Sequence, residues 1–206
     1  LGSFEVTPRE LAYAYTTMAS GGIRFEPFSL YSVTTENGDI ILSRKIQAKQ
    51  VFDPRVTYLA GYALEGVLER GTAIEAKDLG LDFPASGKTG TTNGNKDSWF
   101  VGYTPDVVCA VWVGYDSGAD TGLTGAQGAL HIWTRFMKSF YSQSKPSTVI
   151  PPPGIETAMI DPKTGELATS ACPQKFTEAY LSGTAPEKTC HKHPVKSVTK
   201  KNRNTN

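Results

Sequence analysis

The spacing of apolar residues along the chain changes several times, and each change marks a new element. Leu11, Ala14 and Met18 recur at helical spacing behind Thr7-Pro8-Arg9-Glu10, a capping box with proline at the first helical position. Gly21-Gly22 supplies the stop. Two short β-branched runs, Tyr31 to Thr35 and Ile40 to Leu42, are joined through Asn37-Gly38, the signature of a tight hairpin. Asp53-Pro54 opens a second helix that places Val56, Leu59, Ala63 and Val67 on one face, with Gly71 as its end.

The centre of the chain reads as sheet. Ala85 to Thr91 is a strand followed by a Thr-Asn-Gly loop, and Asp97–Tyr103 and Val107–Tyr115 flank the turn Thr104-Pro105-Asp106. The last of these strands is apolar on both faces, which predicts helices covering both sides of the sheet. One cover is a third helix, opened by a Thr124/Gln127 capping box and carrying the stripe Ile132, Trp133, Phe136, Met137 and Phe140. Pro151-Pro152-Pro153 marks a linker, and the turn-rich stretch after it reads as a satellite. The expected organisation is a main domain over 1–145, a Pro-rich linker and tail over 146–192, and a basic disordered tail over 193–206.

Composition narrows the class. With 206 residues, 39% hydrophobic and 20% charged, the chain suits one soluble globular domain and a small appendage, which excludes collagen-like, coiled-coil and wholly disordered readings. No apolar run reaches the roughly 18 residues of a membrane span, and no signal peptide opens the chain. The first residue is Leu1 rather than Met, as expected for a piece of a longer protein. The net charge of +1 is uneven, because six basic residues and no acid lie between Lys188 and Asn206. The remainder is therefore near −5, which argues against a nucleic-acid-binding body.

Ser86-Gly87-Lys88-Thr89-Gly90-Thr91-Thr92 carries the chemistry. A phosphate-binding P-loop needs a glycine five positions before the Gly-Lys-Thr and a helix directly after it. Asp82 stands at the first place and a helix-poor loop at the second, so that reading fails. Lys-Thr-Gly is instead the third signature of penicillin-interacting serine acyl transferases. Its surroundings agree: Asp97-Ser98-Trp99-Phe100-Val101-Gly102-Tyr103-Thr104-Pro105, Val111-Trp112-Val113-Gly114-Tyr115-Asp116, Leu1-Gly2-Ser3 with Thr7-Pro8, Gly71-Thr72-Ala73 and Thr124-Gly125. Taken together, Leu1 to about Tyr141 closely resembles class A penicillin-binding proteins, and Pro162 to Cys190 resembles the cysteine-bearing tail of some of them.

The resemblance implies the fold, an α/β (α+β type) C-terminal part of a penicillin-binding-protein/β-lactamase-like serine acyl transferase, with an antiparallel sheet flanked by helices. It implies that Lys88 points its ammonium into the site and that Thr89 and Thr91 offer hydroxyls to the carboxylate of a D-Ala-D-Ala stem peptide. Gly90 then gives the substrate backbone close approach, Thr92 lines the same strand, and the Thr91 amide is one oxyanion-hole donor. The implied reaction is D,D-transpeptidation through an acyl-serine, blocked by β-lactams, on the periplasmic face of the bacterial inner membrane. The implied partners are peptidoglycan stem peptides, β-lactams and the upstream part of the same domain. Membrane contact comes only through an N-terminal anchor outside this chain, and no nucleic acid is involved. A carboxypeptidase or β-lactamase would use the same wall but resolve the ester with water, and a non-catalytic module would only hold wall peptide.

The chain departs from the family pattern in lacking a Ser-x-Asn motif. The Ser-x-x-Lys at Ser142–Lys145 sits after Lys-Thr-Gly, at the end of a helix, so its order and context are wrong for a nucleophile. The expectation is a chain that supplies one wall of the site and no nucleophile. Asp97 and Ser98 either line the site or close the loop, and Trp99, Phe100, Trp112 and Trp133 are expected in the core. A Cys172–Cys190 disulfide is expected in the tail, with Cys109 free and inert in its strand. The rival is a metal site from Cys172, Cys190, His191 and His193, whose spacing fits no standard zinc pattern. No cofactor or metal is expected, and His131 has no triad partner legible in sequence.

Overall fold

The computed structural model describes residues 5–193; the Leu1-Gly2-Ser3 match and nearly all of the basic tail lie outside that range. The chain falls into two compact units that part between Pro152 and Pro153. None of the described helices is long and apolar enough to cross a membrane.

In the first unit, α1 (Pro8–Ala19) begins at the predicted capping box with both reciprocal bonds made. It ends at Ser20, ahead of Gly21 and Gly22, both at positive φ. Two small antiparallel pairs follow: β1 (Ile23–Phe25) with β4 (Ala48–Gln50), and β2 (Ser32–Thr34) with β3 (Ile40–Ser43). The second pair is the expected hairpin. α2 (Pro54–Arg70) is capped by Asp53, whose carboxyl the Arg55 guanidinium and amide hold down at about 2. A short helix, α3 (Glu75–Asp78), leads into the central sheet of β5 (Ser86–Thr91), β6 (Asp97–Tyr103) and β7 (Val108–Gly114), antiparallel in that order.

Strand alternation gives this sheet two dressed faces. On one lie Ser98, Phe100 and Gly102 with their partners Val113, Val111 and Cys109, against α4 (Ala129–Phe140). On the other, Tyr103 meets Tyr15 of α1, and a Cβ at Gly61 of α2 would come within 3.1 Å of its hydroxyl. Trp133 of α4 packs on Phe100 at 4.9 Å between ring centroids. Both rings occupy the space that glycine leaves: a Cβ on Gly102 would meet Trp133 at 2.7 Å, and one on Gly87 would meet Phe100 at 2.6 Å.

Several expected faces are turned. In α1, Ala14 is exposed and Thr17 is the buried residue. In α2, Val56 and Ala63 are exposed while Thr57 and Leu68 are buried, because the helix sets Gly61 rather than a larger residue against β5 and β6. The Thr124/Gln127 box forms, but a separate turn intervenes and α4 begins at Ala129. Its core face is Leu130, Trp133, Thr134 and Met137, leaving Ile132, Phe136 and Phe140 about half exposed.

The second unit, expected to be turn-rich, contains an antiparallel pair, β8 (Ile155–Ile160) with β9 (Phe176–Leu181). Leu167 adds isolated bridges to Ile160 and Thr189. The Cys172–Cys190 disulfide is not present: both residues are buried free thiols, as Cys109 is a half-buried one.

Replacing Trp133 by Ala removes the largest fully buried side chain and is expected to cost about 3–5 kcal/mol of stability in a urea titration of the chain. Burial pushes the Cys109 thiol up to about 11. At pH 8 its carbamidomethylation, followed by peptide mass spectrometry, is therefore expected to run about 100-fold slower in the folded chain than in urea.

Candidate active site

β5 has a partner on one side only, so its other edge is open among the described residues. The register tells which groups face that edge. The Thr92 N–H donates to the Asp97 carbonyl at 3.2 Å, which makes 92/97 a hydrogen-bonded pair. Pairing alternates along an antiparallel ladder, so Lys88/Val101 and Gly90/Trp99 are bonded pairs as well. The backbone N–H and C=O groups of Gly87, Thr89 and Thr91 therefore point outward along the open edge.

Lys88 is exposed on this strand, and its Nζ donates to the Thr89 carbonyl at 2.8 Å and lies 3.3 Å from Thr89 Oγ1. Among the described residues it pairs with no carboxylate. Thr89 Oγ1 is 2.8 Å from Thr72 Oγ1. Thr72 was not among the residues singled out for the site, although Gly71-Thr72-Ala73 stood in the sequence pattern. It arrives because Ala73 and Ala76 are buried in the core beside Leu130 and Met137, which carries the segment after α2 past the strand. One ammonium and two hydroxyls thus converge at the open edge of β5, a donor set suited to a carboxylate.

The other expected site residues also make contacts that hold the strand in place. Thr91 Oγ1 accepts the Gly125 N–H at 2.9 Å, so its hydroxyl ties β5 to the loop ahead of α4. Gly90 is held close to that loop: a Cβ on Gly125 would lie 2.6 Å from the Gly90 carbonyl oxygen and 2.9 Å from its nitrogen. Thr92 and Asp97 close the β5–β6 turn, with Thr92 Oγ1 donating to Asp97 Oδ2 at 2.7 Å and Trp112 Nε1 donating to Asp97 Oδ1 at 2.8 Å. Ser98 is fully buried; its hydroxyl donates to the Thr124 carbonyl at 2.8 Å and accepts the Ala129 N–H at 3.0 Å. It caps α4 from the sheet, a job that Gly128 at the helix start lacks the side chain to do. Asp97 and Ser98 are thus structural supports for the site strand.

Lys145 pairs with Asp82 at 3.2 Å rather than with Ser142. The Ser-x-x-Lys spacing recurs at Ser197 and Lys200, outside the described residues. His131 lies 3.1 Å from Glu75, and among the described residues no serine hydroxyl bonds to its ring.

The chain is similar to known proteins over most of its length. Residues 1–137 match the model of the penicillin binding protein transpeptidase domain, and residues 151–195 match that of the penicillin-binding protein 1A C-terminal domain. Penicillin-binding protein 1B of Escherichia coli is 36% identical over 78% of this chain and 19% of its own length. Penicillin-binding protein 1A of Aquifex aeolicus is 34% identical over 92% of this chain and 26% of its own length. The chain thus spans about a fifth to a quarter of these relatives. Among solved structures, penicillin-binding protein 1A of Haemophilus influenzae superposes with a TM-score of 0.81 at 24% identity, over 92% of this chain and 34% of that one. The PonA1 protein of Mycobacterium tuberculosis in complex with penicillin V gives 0.62 at 27% identity, over 74% of this chain and 46% of that one.

If Ser98 acts as cap and anchor, Ser98→Ala strands a buried N–H and C=O and is expected to cost about 1–3 kcal/mol. Thr92→Ala, at an exposed turn, is expected to stay within about 0.5 kcal/mol of wild type in the same urea titration.

Proposed function

The chain belongs to the penicillin-binding protein transpeptidase family, in its class A branch, and from that premise we propose that β5 is one wall of a serine acyl-transfer site that cross-links peptidoglycan. The observation that carries the reading is the open edge of β5, with the amides of Thr89 and Thr91 facing outward beside the Lys88 ammonium and the Thr72 and Thr89 hydroxyls.

An extended peptide adds to such an edge as a further strand, which sets its scissile carbonyl in register. The ammonium and the two hydroxyls bind the terminal carboxylate of a D-Ala-D-Ala stem. The Thr91 N–H donates to the carbonyl oxygen as it becomes an oxyanion. A serine Oγ attacks the penultimate D-Ala carbonyl, the C–N bond breaks, and D-Ala leaves as the free amine after gaining a proton. An amine of a second stem then attacks the ester, releasing the serine and forming the new amide. That serine comes from the upstream part of the domain: Ser142 and Ser197 both follow Lys-Thr-Gly, against the motif order. β-Lactams occupy the same edge and stop at the acyl-serine. The reaction takes place on the outer side of the bacterial inner membrane, where the polymer lies.

The test is labelling with a fluorescent penicillin, using a whole transpeptidase domain that contains this chain. Lys88→Ala is expected to label about 10²-fold more slowly, the order expected for losing one preorganised electrostatic group. Unchanged labelling removes Lys88 from the site. The 206-residue chain alone is expected to form no acyl adduct, and an adduct there overturns the division of the site between two parts of the domain.

A further inference from the structure

The second unit brings together four side chains that the transpeptidase reaction does not use. Asp161, Cys172, Cys190 and His193 each offer one ligand atom, and all four atoms lie within 4.8 Å of one another. The first three are almost wholly buried, with Asp161 1% exposed. We infer that these four residues form a tetrahedral site for a thiophilic divalent cation, zinc first among them.

Tetrahedral zinc with Zn–S about 2.3 Å and Zn–N or Zn–O about 2.0–2.1 Å has ligand-to-ligand edges of about 3.3–3.8 Å. Cys190 Sγ lies 3.2 Å from Asp161 Oδ2 and 3.4 Å from His193 Nδ1, and His193 Nδ1 lies 3.5 Å from Asp161 Oδ2. Three edges of the tetrahedron are therefore already within about 0.3 Å of that range, and Cys172 completes it with a shift of no more than about 1 Å.

Charge points the same way. A buried carboxylate needs a compensating cation; among the described residues neither lysine nor arginine pairs with Asp161, and its ion-pair partner His193 belongs to the same ligand set. Two thiolates and one carboxylate against a divalent ion leave a single net negative charge, and binding releases the two thiol protons to solvent. A disulfide between the cysteines leaves Asp161 and His193 without that partner.

The surrounding contacts fit ligand support. The Thr169 N–H donates to Cys172 Sγ at 3.2 Å, Thr164 Oγ1 donates to Asp161 Oδ2 at 3.0 Å, and Thr169 Oγ1 donates to the His193 carbonyl at 2.7 Å. His191 stands apart, its Nδ1 2.7 Å from Glu166. The set thus differs from the one that sequence spacing suggests, with Asp161 in place of His191. Asp161 enters from the end of β8 through the turn its carbonyl closes with Thr164 and Gly165.

The experiment is a cobalt(II) titration of the 206-residue chain, purified and held under a phosphine reductant. One equivalent is expected to give the thiolate charge-transfer and visible bands of tetrahedral cobalt, and zinc is expected to bleach them. Cys172→Ser and Asp161→Asn are each expected to weaken binding at least about tenfold, and His191→Ala to bind as wild type. A reduced wild-type chain that takes up no cobalt into a thiolate site overturns the inference. So does tight binding that Cys172→Ser leaves untouched, or binding that His191→Ala abolishes.

Discussion

The close approach of two backbones, Gly125 to Gly90, governs what the site strand can do. A side chain at Gly125 would collide with the Gly90 carbonyl, the Gly90 nitrogen and the Trp99 carbonyl, at 2.6, 2.9 and 2.5 Å. The approach lets the Gly125 N–H reach Thr91 Oγ1 and brings Thr124 over Ser98. The loop ahead of α4 thereby clamps the sheet end of β5, while the strand's other edge stays unpaired among the described residues. An edge strand bonded on one side only needs its rigidity supplied from elsewhere, and here the supply is backbone contact and buried polar bonds.

The same logic explains the aromatic core beneath. Phe100 and Trp133 fill the hollows over Gly87 and Gly102, so the glycines of Ser86-Gly87-Lys88-Thr89-Gly90 serve two ends. Gly87 accepts an aromatic ring from below, and Gly90 accepts a neighbouring backbone. The Lys-Thr-Gly signature is in part a packing signature, and Lys88 and Thr89 sit between two residues whose lack of a side chain the packing requires.

Local signals set the elements, and tertiary partners decide their faces. The capping boxes at Thr7 and Thr124 both form, because each is satisfied within four residues. The stripes of α2 and α4 are legible as apolar but not as inward or outward. Val56 and Ile132 look like core residues by periodicity and are exposed, because α2 turns Gly61 toward Tyr103 and α4 turns Trp133 toward Gly102. Thr72 was hidden for a related reason: seventeen residues separate it from Thr89, and only the burial of Ala73 and Ala76 brings the two hydroxyls to 2.8 Å.

The cysteines show the limit of spacing arguments most directly. Counting intervals between Cys172, Cys190, His191 and His193 yields no standard metal pattern, and a pair of cysteines in a small tail reads as a disulfide. Neither reading includes Asp161, which lies eleven residues before Cys172 and reaches the thiols because β8 and the bridging Leu167 fold its turn inward. The signal that was present is Asp161-Pro162-Lys163-Thr164-Gly165, a turn whose aspartate must bond its own loop. In this buried turn Oδ1 takes the Lys163 N–H, and Oδ2, beyond its bond from Thr164, faces away from the turn. The two thiols and the imidazole are what the fold places there.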